Sequence, residues 1–501
     1  MIRNVLEFLE KSAACYPEKE AFSDNKLSIT YRQLEADAKA VGSALLDLHK
    51  KNRPIVVYLD KNVACVTAFM GVVYSGNFYV SVDIYMPVQR IQSILETLDP
   101  VAVITDQAHR TKVEKWKGDI PLYIMEEIRE TPICHTELDQ VRRRAIDTDP
   151  LYALFTSGST GVPKGTVICH RSVIAYAQWV TETFDITHET IYGNQAPLYF
   201  SMSVLDFYST LMSGATMHLI PAMYFSFPLR LLEYMQQKKI NTIYWVPSAL
   251  SIVANMKALD RVELPDLKKI LFAGEVMTVK QLNVWRRHFP EALFANLYGP
   301  TEITDICTYY IVDREFEDHE SLPIGIPCAN TDILIITEDG REAADGEEGE
   351  LCVRGTFLAH GYYNNAEKTE QVFVQNPLNP WYPELIYKTG DLVKKNERGE
   401  IIYLTRKDFQ IKHMGYRIEL GEIEAAVSAV ESVQACACVY DAQKDEIVLF
   451  YQGTEMTDRE MIAAVRDKLP AYMHPNRIIH LQVMPHNANG KIDRVTLKSM
   501  Y

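Results

Sequence analysis

The chain has 501 residues, of which 47% are hydrophobic and 23% charged, so disorder as a general state is excluded and two or three globular domains are expected. Its formal net charge of −15 argues against nucleic acid as the main partner. No apolar run approaches the ~20 residues that span a bilayer, and Glu7, Glu10 and Lys11 interrupt the apolar N-terminus, unlike the core of a signal peptide. We therefore predict a cytoplasmic monomer with no membrane span, whose nine cysteines are free and reduced.

Helix-like and strand-like segments alternate from about residue 28 to about residue 310. Short apolar runs predict strands at Ile55–Tyr58, Val101–Thr105, Leu151–Phe155, Thr216–Ile220, Thr242–Val246 and Lys269–Ala273. Amphipathic stretches between them predict helices, among them Tyr31–Leu46, Ala64–Tyr74 and Leu229–Lys238. This alternation predicts α/β layers with parallel sheets.

A loop of glycine, hydroxyl and lysine residues, TSGSTGVPKG, spans residues 156–165. Its glycines let backbone N–H groups approach an anion, its hydroxyls donate hydrogen bonds, and Lys164 adds a positive charge. A strand-like run precedes the loop, and the helical spacing of Ser172–Val180 follows it, which is the strand, loop and helix context of a nucleotide site. Because Lys164 follows a proline and precedes a glycine, the P-loop pattern of kinases and ATPases does not fit. The loop predicts phosphate binding of another kind.

The pattern changes twice in the second half of the chain. From about residue 321 to 405, turn dipeptides such as Asp339-Gly340 separate short strands, as in an antiparallel or barrel-like unit. After Asp408, two helix-like stretches and two strand-like stretches form an α+β unit of about 90 residues, which is long enough to fold separately.

Motifs spread over nearly the whole chain resemble those of the adenylate-forming superfamily, in the order that this family uses. The stretches that carry the resemblance are Ile29-Thr30-Tyr31, the loop at 156–165, Asn296-Leu297-Tyr298-Gly299-Pro300-Thr301-Glu302, Tyr387-Lys388-Thr389-Gly390-Asp391 and Asn489-Gly490-Lys491-Ile492-Asp493-Arg494. Within the superfamily, the chain is most similar to amino-acid adenylation domains and stand-alone D-alanine–carrier protein ligases. Such enzymes use ATP and Mg²⁺ to convert a carboxylic acid into acyl-AMP with release of pyrophosphate. They then transfer the acyl group to the phosphopantetheine thiol of a carrier protein.

The resemblance implies a two-domain architecture of the α/β class. An N-terminal domain of residues 1–407, with two α/β sheets and a β-barrel-like unit, would bind ATP and the acid. A small mobile α+β domain of residues 408–501 would act as a lid, with Asp408 as the hinge. Rotation at this hinge would exchange Lys491 for Gly415 and Arg417 at the nucleotide, and so change the site from adenylate formation to thioester formation.

The resemblance also assigns roles to residues at the nucleotide. The β- and γ-phosphates would bind Thr156, Ser157, Gly158, Ser159, Thr160 and Lys164. Tyr298 would stack on adenine beside Asn296 and Gly299, and Asp391 would bind the ribose hydroxyls with Arg406 nearby. The catalytic residues would be Thr301 at the α-phosphate, Glu302 as the magnesium ligand, and Lys491 between the substrate carboxylate and the phosphate.

The predicted acyl pocket departs from the family pattern at Ser201. Relatives that use α-amino acids typically have an aspartate there, after the phenylalanine that corresponds to Phe200, and its charge pairs with the substrate ammonium. A neutral hydroxyl cannot replace that charge, so either the substrate lacks an α-amino group or another acid takes over. Asp305 is the candidate, unless it turns away to bind backbone or solvent. The other predicted pocket residues form an apolar wall: Met202, Leu205, Tyr244, Leu271, Ala273, Leu297 and Ile306.

Two alternatives to carrier loading stay open at this point. An acyl-CoA synthetase of the same superfamily would use coenzyme A as the thiol acceptor. A non-catalytic nucleotide-binding regulator would have lost charged catalytic groups, yet Lys164, Glu302, Asp391, Arg406 and Lys491 are all present. The sequence does not identify the acid, the carrier or the pathway.

Overall fold

The computed structural model of the protein describes residues 2–157, 163–407, 410–442, 444–485 and 492–500. The chain divides into two compact units. The first comprises Met1–Asp83, Asp99–Leu154 and Thr166–Lys407, and the second comprises Ile84–Leu98, Phe155–Gly165 and Asp408–Tyr501. The predicted division after residue 407 stays a prediction, because the second unit also includes two segments from the N-terminal part of the chain.

The helices and strands alternate through the N-terminal part of the chain. The helices there are α1 (Leu6–Cys15), α2 (Tyr31–Leu45), α3 (Val63–Tyr74), α4 (Val88–Leu98), α5 (Arg110–Glu114), α6 (Met125–Ile128), α7 (His135–Arg143), α8 (His170–Thr183), α9 (Ser203–Ser213), α10 (Pro228–Gln237), α11 (Pro247–Asn255) and α12 (Val279–His288). The strands there are β1 (Glu20–Ser23), β2 (Ser28–Thr30), β3 (Pro54–Tyr58), β4 (Phe78–Ser81), β5 (Ala102–Thr105), β6 (Leu122–Ile124), β7 (Pro150–Thr156), β8 (Lys164–Cys169), β9 (Ile191–Asn194), β10 (Thr216–Leu219), β11 (Thr242–Trp245), β12 (Lys269–Ala273), β13 (Leu293–Tyr298) and β14 (Thr308–Ile311).

Strands dominate the rest of the chain. They are β15 (Ile326–Pro327), β16 (Thr331–Ile336), β17 (Gly349–Gly355), β18 (Gly361–Tyr362), β19 (Phe373–Gln375), β20 (Leu385–Lys395), β21 (Ile401–Arg406), β22 (Gln410–His413), β23 (Tyr416–Glu419), β24 (Val433–Asp441), β25 (Glu446–Gly453) and β26 (Arg477–Leu481). The helices among them are α13 (Ala366–Val372), α14 (Leu420–Ser428), α15 (Asp458–Val465) and α16 (Arg494–Lys498).

Two largely parallel sheets and one antiparallel sheet build the first unit. One sheet has the strand order β15-β14-β13-β12-β11-β9-β10-β1-β2, and another has the order β18-β8-β7-β4-β3-β5-β6. The antiparallel sheet follows the order β16-β17-β20-β19, with β21 paired to β20. These sheets and the α/β alternation confirm the predicted fold class.

Helix α2 shows why the amphipathic segments fold as predicted. The Thr30 hydroxyl caps its N-terminus by accepting a hydrogen bond from the Gln33 N–H. Leu34, Ala38 and Val41 then repeat at helical spacing and are buried. This face packs closely on α3, since a Cβ added at Gly71 would lie 2.3 Å from a Val41 methyl carbon.

The helix predicted at Ser172–Val180 lies within α8, but the predicted order of strand, loop and helix was wrong, because a strand follows the loop. Strand β8 lies between the loop and α8, and Lys164 is the first residue of that strand. The Gly165 Cα lies so close to Phe155 that an added Cβ would meet its ring at 2.8 Å. The loop therefore joins two strands of one sheet, and the helix N-terminus is not part of it.

In the second unit, the C-terminal residues form a small α+β fold. A β22–β23 hairpin precedes α14, and β24, β25 and β26 form a separate sheet. Its core gathers α14, α15 and the sheet through residues such as Ile423, Val427, Leu449 and Val465. The hairpin turns at Met414 and Gly415, which both have positive φ, as type I′ turns require.

Two further features concern membrane spans and cysteines. No helix within the described ranges combines the length and the apolar character needed to cross a membrane. All nine cysteines lie among the described residues and are free thiols, as predicted.

Candidate active site

Three of the residues assigned to the nucleotide meet at the end of β13. The Tyr298 hydroxyl donates a hydrogen bond to Asp391 Oδ2, and Arg406 Nη1 lies 2.8 Å from Asp391 Oδ1. Asp391 and Arg406 are direct partners on the antiparallel strands β20 and β21, so the sheet register fixes their contact. Burial, and secondarily the Asp391 charge, raises the pKa of Tyr298 well above its ordinary value, so its hydroxyl stays a donor. Tyr298, Asp391 and Arg406, which stand in widely separated motifs, therefore form one cluster.

Backbone contacts within the predicted Tyr387–Asp391 motif support Asp391, and one of them involves Glu350, to which the sequence did not point. Gly390 has φ of +76°, and its N–H donates to Glu350 Oε1 at 3.0 Å. The Thr389 hydroxyl accepts from the Asp391 N–H at 3.0 Å, and the Thr389 carbonyl accepts from Arg406 at 3.1 Å. Glu350 also lies 3.2 Å from the Lys407 ammonium. These bonds fix the backbone at Gly390 and Asp391 and also the Arg406 side chain that pairs with the Asp391 carboxylate.

Asn296 and Gly299 flank this cluster. The Asn296 side chain donates to the Pro323 carbonyl at 2.8 Å, and this bond fixes the strand beside it. A Cβ added at Gly299 would lie 2.1 Å from the Asp305 carbonyl oxygen, so glycine is required where the chain turns back on itself. The Cys307 N–H closes this loop by donating to the Tyr298 carbonyl at 2.8 Å.

Thr301 and Glu302 lie in the short 3-10 helix of that loop, Thr301–Ile303. The Thr301 hydroxyl donates to Ser201 Oγ at 3.2 Å, so the predicted α-phosphate residue touches the predicted acyl pocket. Glu302 is fully buried, and the Tyr362 hydroxyl donates to its Oε1 atom at 2.7 Å. A buried, oriented carboxylate fits a role as a magnesium ligand, because Mg²⁺ is usually held by one or two carboxylates together with substrate phosphates.

The predicted apolar wall lies on one face of a sheet. Tyr244 is the register partner of Leu271, and Ala273 is the register partner of Leu297. Partners across paired strands share a face, and residues two apart on one strand do as well, so all four side chains line the same surface. All four are almost fully buried, and Ile306 is too.

Phe200, Ser201, Met202 and Leu205 form the turn into α9 and its first helical turn. The Phe200 carbonyl accepts from the Ser203 hydroxyl at 2.7 Å, and the Ser201 carbonyl accepts from the Val204 N–H at 2.9 Å. Met202 and Leu205 are buried, and Phe200 and Ser201 are half-buried. Met202 also approaches the β12 side of the wall, since a Cβ at Gly274 would lie 3.3 Å from its sulfur.

Asp305 does not turn to solvent. It is 2% exposed, and its Oδ2 atom accepts hydrogen bonds from the Tyr176 hydroxyl at 2.8 Å and from the Tyr244 hydroxyl at 3.1 Å. Burial, followed by the Asp305 charge, raises the pKa of both tyrosines well above the ordinary value, so both remain neutral donors. The sequence did not point to Tyr176, because its position on α8 fits an ordinary core residue.

The predicted residues of the second unit are described in part. Thr156 Oγ1 is buried with no hydrogen-bond partner among the described residues, which fits a donor kept for a phosphate oxygen. The Ser157 hydroxyl donates to the Arg417 carbonyl at 2.8 Å, and Lys164 is 7% exposed. Arg417 follows the turn that contains Gly415. The predictions for Gly158, Ser159, Thr160, Asp408 and Lys491 lie outside the described residues.

Another group of metal-ligand type lies away from Glu302 in sequence. Asp60, Asp106 and His109 have ligand atoms that all lie within 4.8 Å of one another. His109 Nδ1 lies 2.7 Å from Asp106 Oδ1, so a hydrogen bond accounts for their approach. None of these residues belongs to the predicted site.

Comparisons with known proteins match the chain over nearly its full length. A family model described as AMP-binding enzyme matches residues 9–363, and one described as AMP-binding enzyme C-terminal domain matches residues 422–491. The chain is 31% identical to a D-alanine–D-alanyl carrier protein ligase of Bacillus mycoides (strain KBAB4) over 511 aligned positions, which cover 99% of each chain.

Solved structures show the same fold. The amide bond synthetase McbA of Marinactinospora thermotolerans superposes with a TM-score of 0.87 at 18% identity, covering 99% of each chain. The adenylation domain AlmE of Vibrio cholerae, in complex with glycyl-adenosine-5′-phosphate, superposes with a TM-score of 0.83 at 21% identity, covering 100% of this chain and 98% of that one.

Proposed function

The chain belongs to the AMP-binding enzyme family of adenylate-forming ligases, and from this premise we propose that it activates a carboxylic acid as acyl-AMP and loads it onto a separate carrier protein. One observation within the molecule carries the nucleotide part of this proposal. Tyr298 and Arg406 both contact Asp391, so residues from three distant motifs form one cluster suited to a nucleoside. The full-length similarity to a carrier protein ligase supports the choice of acceptor.

The residues act by positioning and by charge. Asp391 accepts hydrogen bonds from the ribose hydroxyls while Arg406 and Tyr298 fix its orientation. Thr301 donates to the α-phosphate, where negative charge accumulates as the substrate carboxylate attacks. Glu302 would hold Mg²⁺, which would supply positive charge against the phosphates. The outgoing pyrophosphate binds to Thr156, Ser157, Gly158, Ser159, Thr160 and Lys164. Lys491 bridges the substrate carboxylate and the phosphate.

We also infer where the enzyme works. ATP and a phosphopantetheine thiol are available in the cytoplasm, and the nine free thiols fit a reducing compartment. We therefore propose a cytoplasmic monomer that meets its carrier transiently.

The nucleotide assignment is tested by pyrophosphate exchange with an Asp391→Asn variant. We expect the acid-dependent exchange rate to fall by about 100-fold, because a carboxylate that binds the substrate loses its charge. Asp332→Asn is the matched control, since Asp332 also faces an arginine, Arg354, across antiparallel strands of the same sheet. Equal effects of the two substitutions would contradict the role of Asp391.

The acceptor is tested by giving the wild-type enzyme, ATP and an accepted acid either a phosphopantetheinylated carrier protein or coenzyme A. We expect acyl transfer to the carrier at a much higher kcat/KM than to coenzyme A. Preferred transfer to coenzyme A would support the alternative of an acyl-CoA synthetase. Acid-independent binding of ATP without any exchange would instead indicate a non-catalytic regulator.

A further inference from the structure

The predicted acyl pocket contains two polar residues, Ser201 and Asp305, which contact different neighbours. Ser201 is at the position where the family pattern has an aspartate for an α-ammonium, and its Oγ atom accepts a hydrogen bond from Thr301 at 3.2 Å. This contact places Ser201 beside the predicted α-phosphate residue, at the reacting end of the pocket. The hydroxyl carries no charge, so this end of the pocket lacks the usual aspartate for an ammonium group.

The second polar residue, Asp305, is at the aromatic wall. Its carboxylate is in contact with Tyr244 of β11 and Tyr176 of α8, both fully buried. Two neutral hydroxyl donors orient the carboxylate. A carboxylate in such an apolar setting favours a cationic group, because opposite charges attract strongly where the effective dielectric constant is low.

The backbone before Asp305 adopts a rare conformation that sets this carboxylate. Thr304 is buried and has φ of +74° and ψ of −60°, and the Asp305 N–H donates to the Ile303 carbonyl at 2.9 Å. These values define a γ-turn of the strained kind. The Thr304 hydroxyl holds the turn by donating to the Phe357 carbonyl at 2.9 Å. Strained buried turns of this kind cluster at binding sites, where neighbouring contacts over-determine them.

We propose that Asp305, held by Tyr176 and Tyr244, is the subsite for a substrate ammonium group, and that the activated acid carries its amine beyond the α-carbon. This inference rests on the proposed adenylation function. Ser201 contacts Thr301, whereas Asp305 contacts the two tyrosines of the aromatic wall, and these different partners support an amine position other than the α-amino position of the family. β-Amino and γ-amino acids are the corresponding substrate class.

The test compares isomers and deaminated partners by ATP–pyrophosphate exchange with the full chain. The acids are alanine of either hand, β-alanine with propionate, and γ-aminobutyrate with butyrate. We expect one of the distal amino acids to exceed both its deaminated partner and alanine by about tenfold or more in kcat/KM. This comparison uses the wild-type enzyme and so does not depend on any variant folding.

An Asp305→Asn variant then separates recognition of charge from structural support. We expect its KM for the preferred amino acid to rise by about 100-fold, and the ratio of kcat/KM between that amino acid and its deaminated partner to fall by a similar factor. Asp313→Asn is the matched control, because Asp313 also accepts a tyrosine hydroxyl, that of Tyr310 at 3.0 Å, outside the pocket. A merely structural role of Asp305 would lower the rates for both acids equally.

Three outcomes would overturn the inference, and they differ in what they leave standing. A preference for alanine that Asp305→Asn leaves unchanged would refute it while keeping the proposed function. A preference for a deaminated acid over its amino acid would also refute the inference and keep the proposed function. Exchange with none of these acids would also overturn the inference, whereas failure of a wider panel of α-amino, β-amino, aryl and aliphatic acids would overturn the proposed function itself.

Discussion

At the scale of single residues, the site depends on partners that hold the charged groups in place. Glu302 is fully buried, and Tyr362 of β18 donates a hydrogen bond to it at 2.7 Å across 60 residues of sequence. The backbone adds a second constraint, since the Glu302 carbonyl accepts from the Ala359 N–H at 2.9 Å. Partners of a metal-binding carboxylate orient it and tune its affinity, so the Tyr362 hydroxyl is a positioning group for the proposed magnesium ligand.

Removing that hydroxyl tests this role. We expect Tyr362→Phe to lower kcat/KM for the adenylation step by about tenfold and to raise the Mg²⁺ concentration needed for half-maximal exchange. Tyr363→Phe is the control, because Tyr363 packs its ring on Phe78 with centroids 5.7 Å apart. A magnesium titration of pyrophosphate exchange measures both effects. If the Tyr362→Phe titration matched the control, Glu302 would not depend on this hydroxyl.

The sequence predicted the charged residues of the site better than their supports. Asp391, Arg406, Tyr298 and Glu302 stand in recognisable motifs, and the first three do meet. Tyr176 and Tyr362 could not be found in this way, because a tyrosine on a buried helix face or in a short strand has no pattern that distinguishes it from core. Their contacts arise from tertiary packing across 129 and 60 residues.

At the scale of elements, the six strands and three helices named from the hydrophobic period between residues 28 and 310 are all present, and the prediction failed where composition and tertiary context disagree. The run at α2 ends within one residue of its prediction, because its cap and its buried face both show in the sequence. Strand β8 was missed because it begins with a lysine and a glycine, which resemble a continuing loop. Helix α4 departs from the hydrophobic pattern in another way, because its buried face includes a charged residue, Arg90.

Arg90 connects two elements of the second unit that lie far apart in sequence. Its guanidinium pairs with Glu422 in the first turn of α14, and the two side chains are 6% and 3% exposed. Burial lowers the pKa of Arg90, and its Nε atom and Glu422 Oε2 have no hydrogen-bond partner among the described residues. Each charge therefore depends on the other for compensation.

We expect Arg90→Met to cost about 3–5 kcal/mol of unfolding free energy in the second unit, because Glu422 is left buried without its partner. The double variant Arg90→Met/Glu422→Leu should recover most of that loss, since no buried charge remains. Hydrogen exchange of peptides from α14 measures the unfolding free energy of the single and the double variant. Arg466→Met is the control, because its pair with Asp467 is exposed on both sides, and exposed pairs contribute little. A double variant no more stable than Arg90→Met alone would contradict this account.

At the scale of the whole molecule, the residues assigned to the two proposed steps belong to different parts of the chain. The nucleotide cluster and the acyl wall lie in the first unit, whereas Ser157, Lys164, Gly415 and Arg417 belong to the second. The family models divide in a similar way, with one match ending at residue 363 and the other beginning at residue 422.

Domain alternation predicts that substitutions in the C-terminal part separate the two half-reactions. We expect Lys491→Ala to lower acid-dependent pyrophosphate exchange by about 100-fold or more, because it removes the cation between two reacting anions. The same variant should still transfer the acyl group from a synthetic acyl-adenylate to the carrier.

Gly415→Val should lower acyl transfer to the carrier and keep acid-dependent pyrophosphate exchange. The reason is that a β-branched residue is strained at φ of +81° in the hairpin turn. Lys498→Ala and Gly399→Ala are the matched controls, in an exposed last helical turn and at an open turn with φ of +74°. Equal loss of both half-reactions in either variant would refute alternation, because one fixed arrangement would then serve both steps.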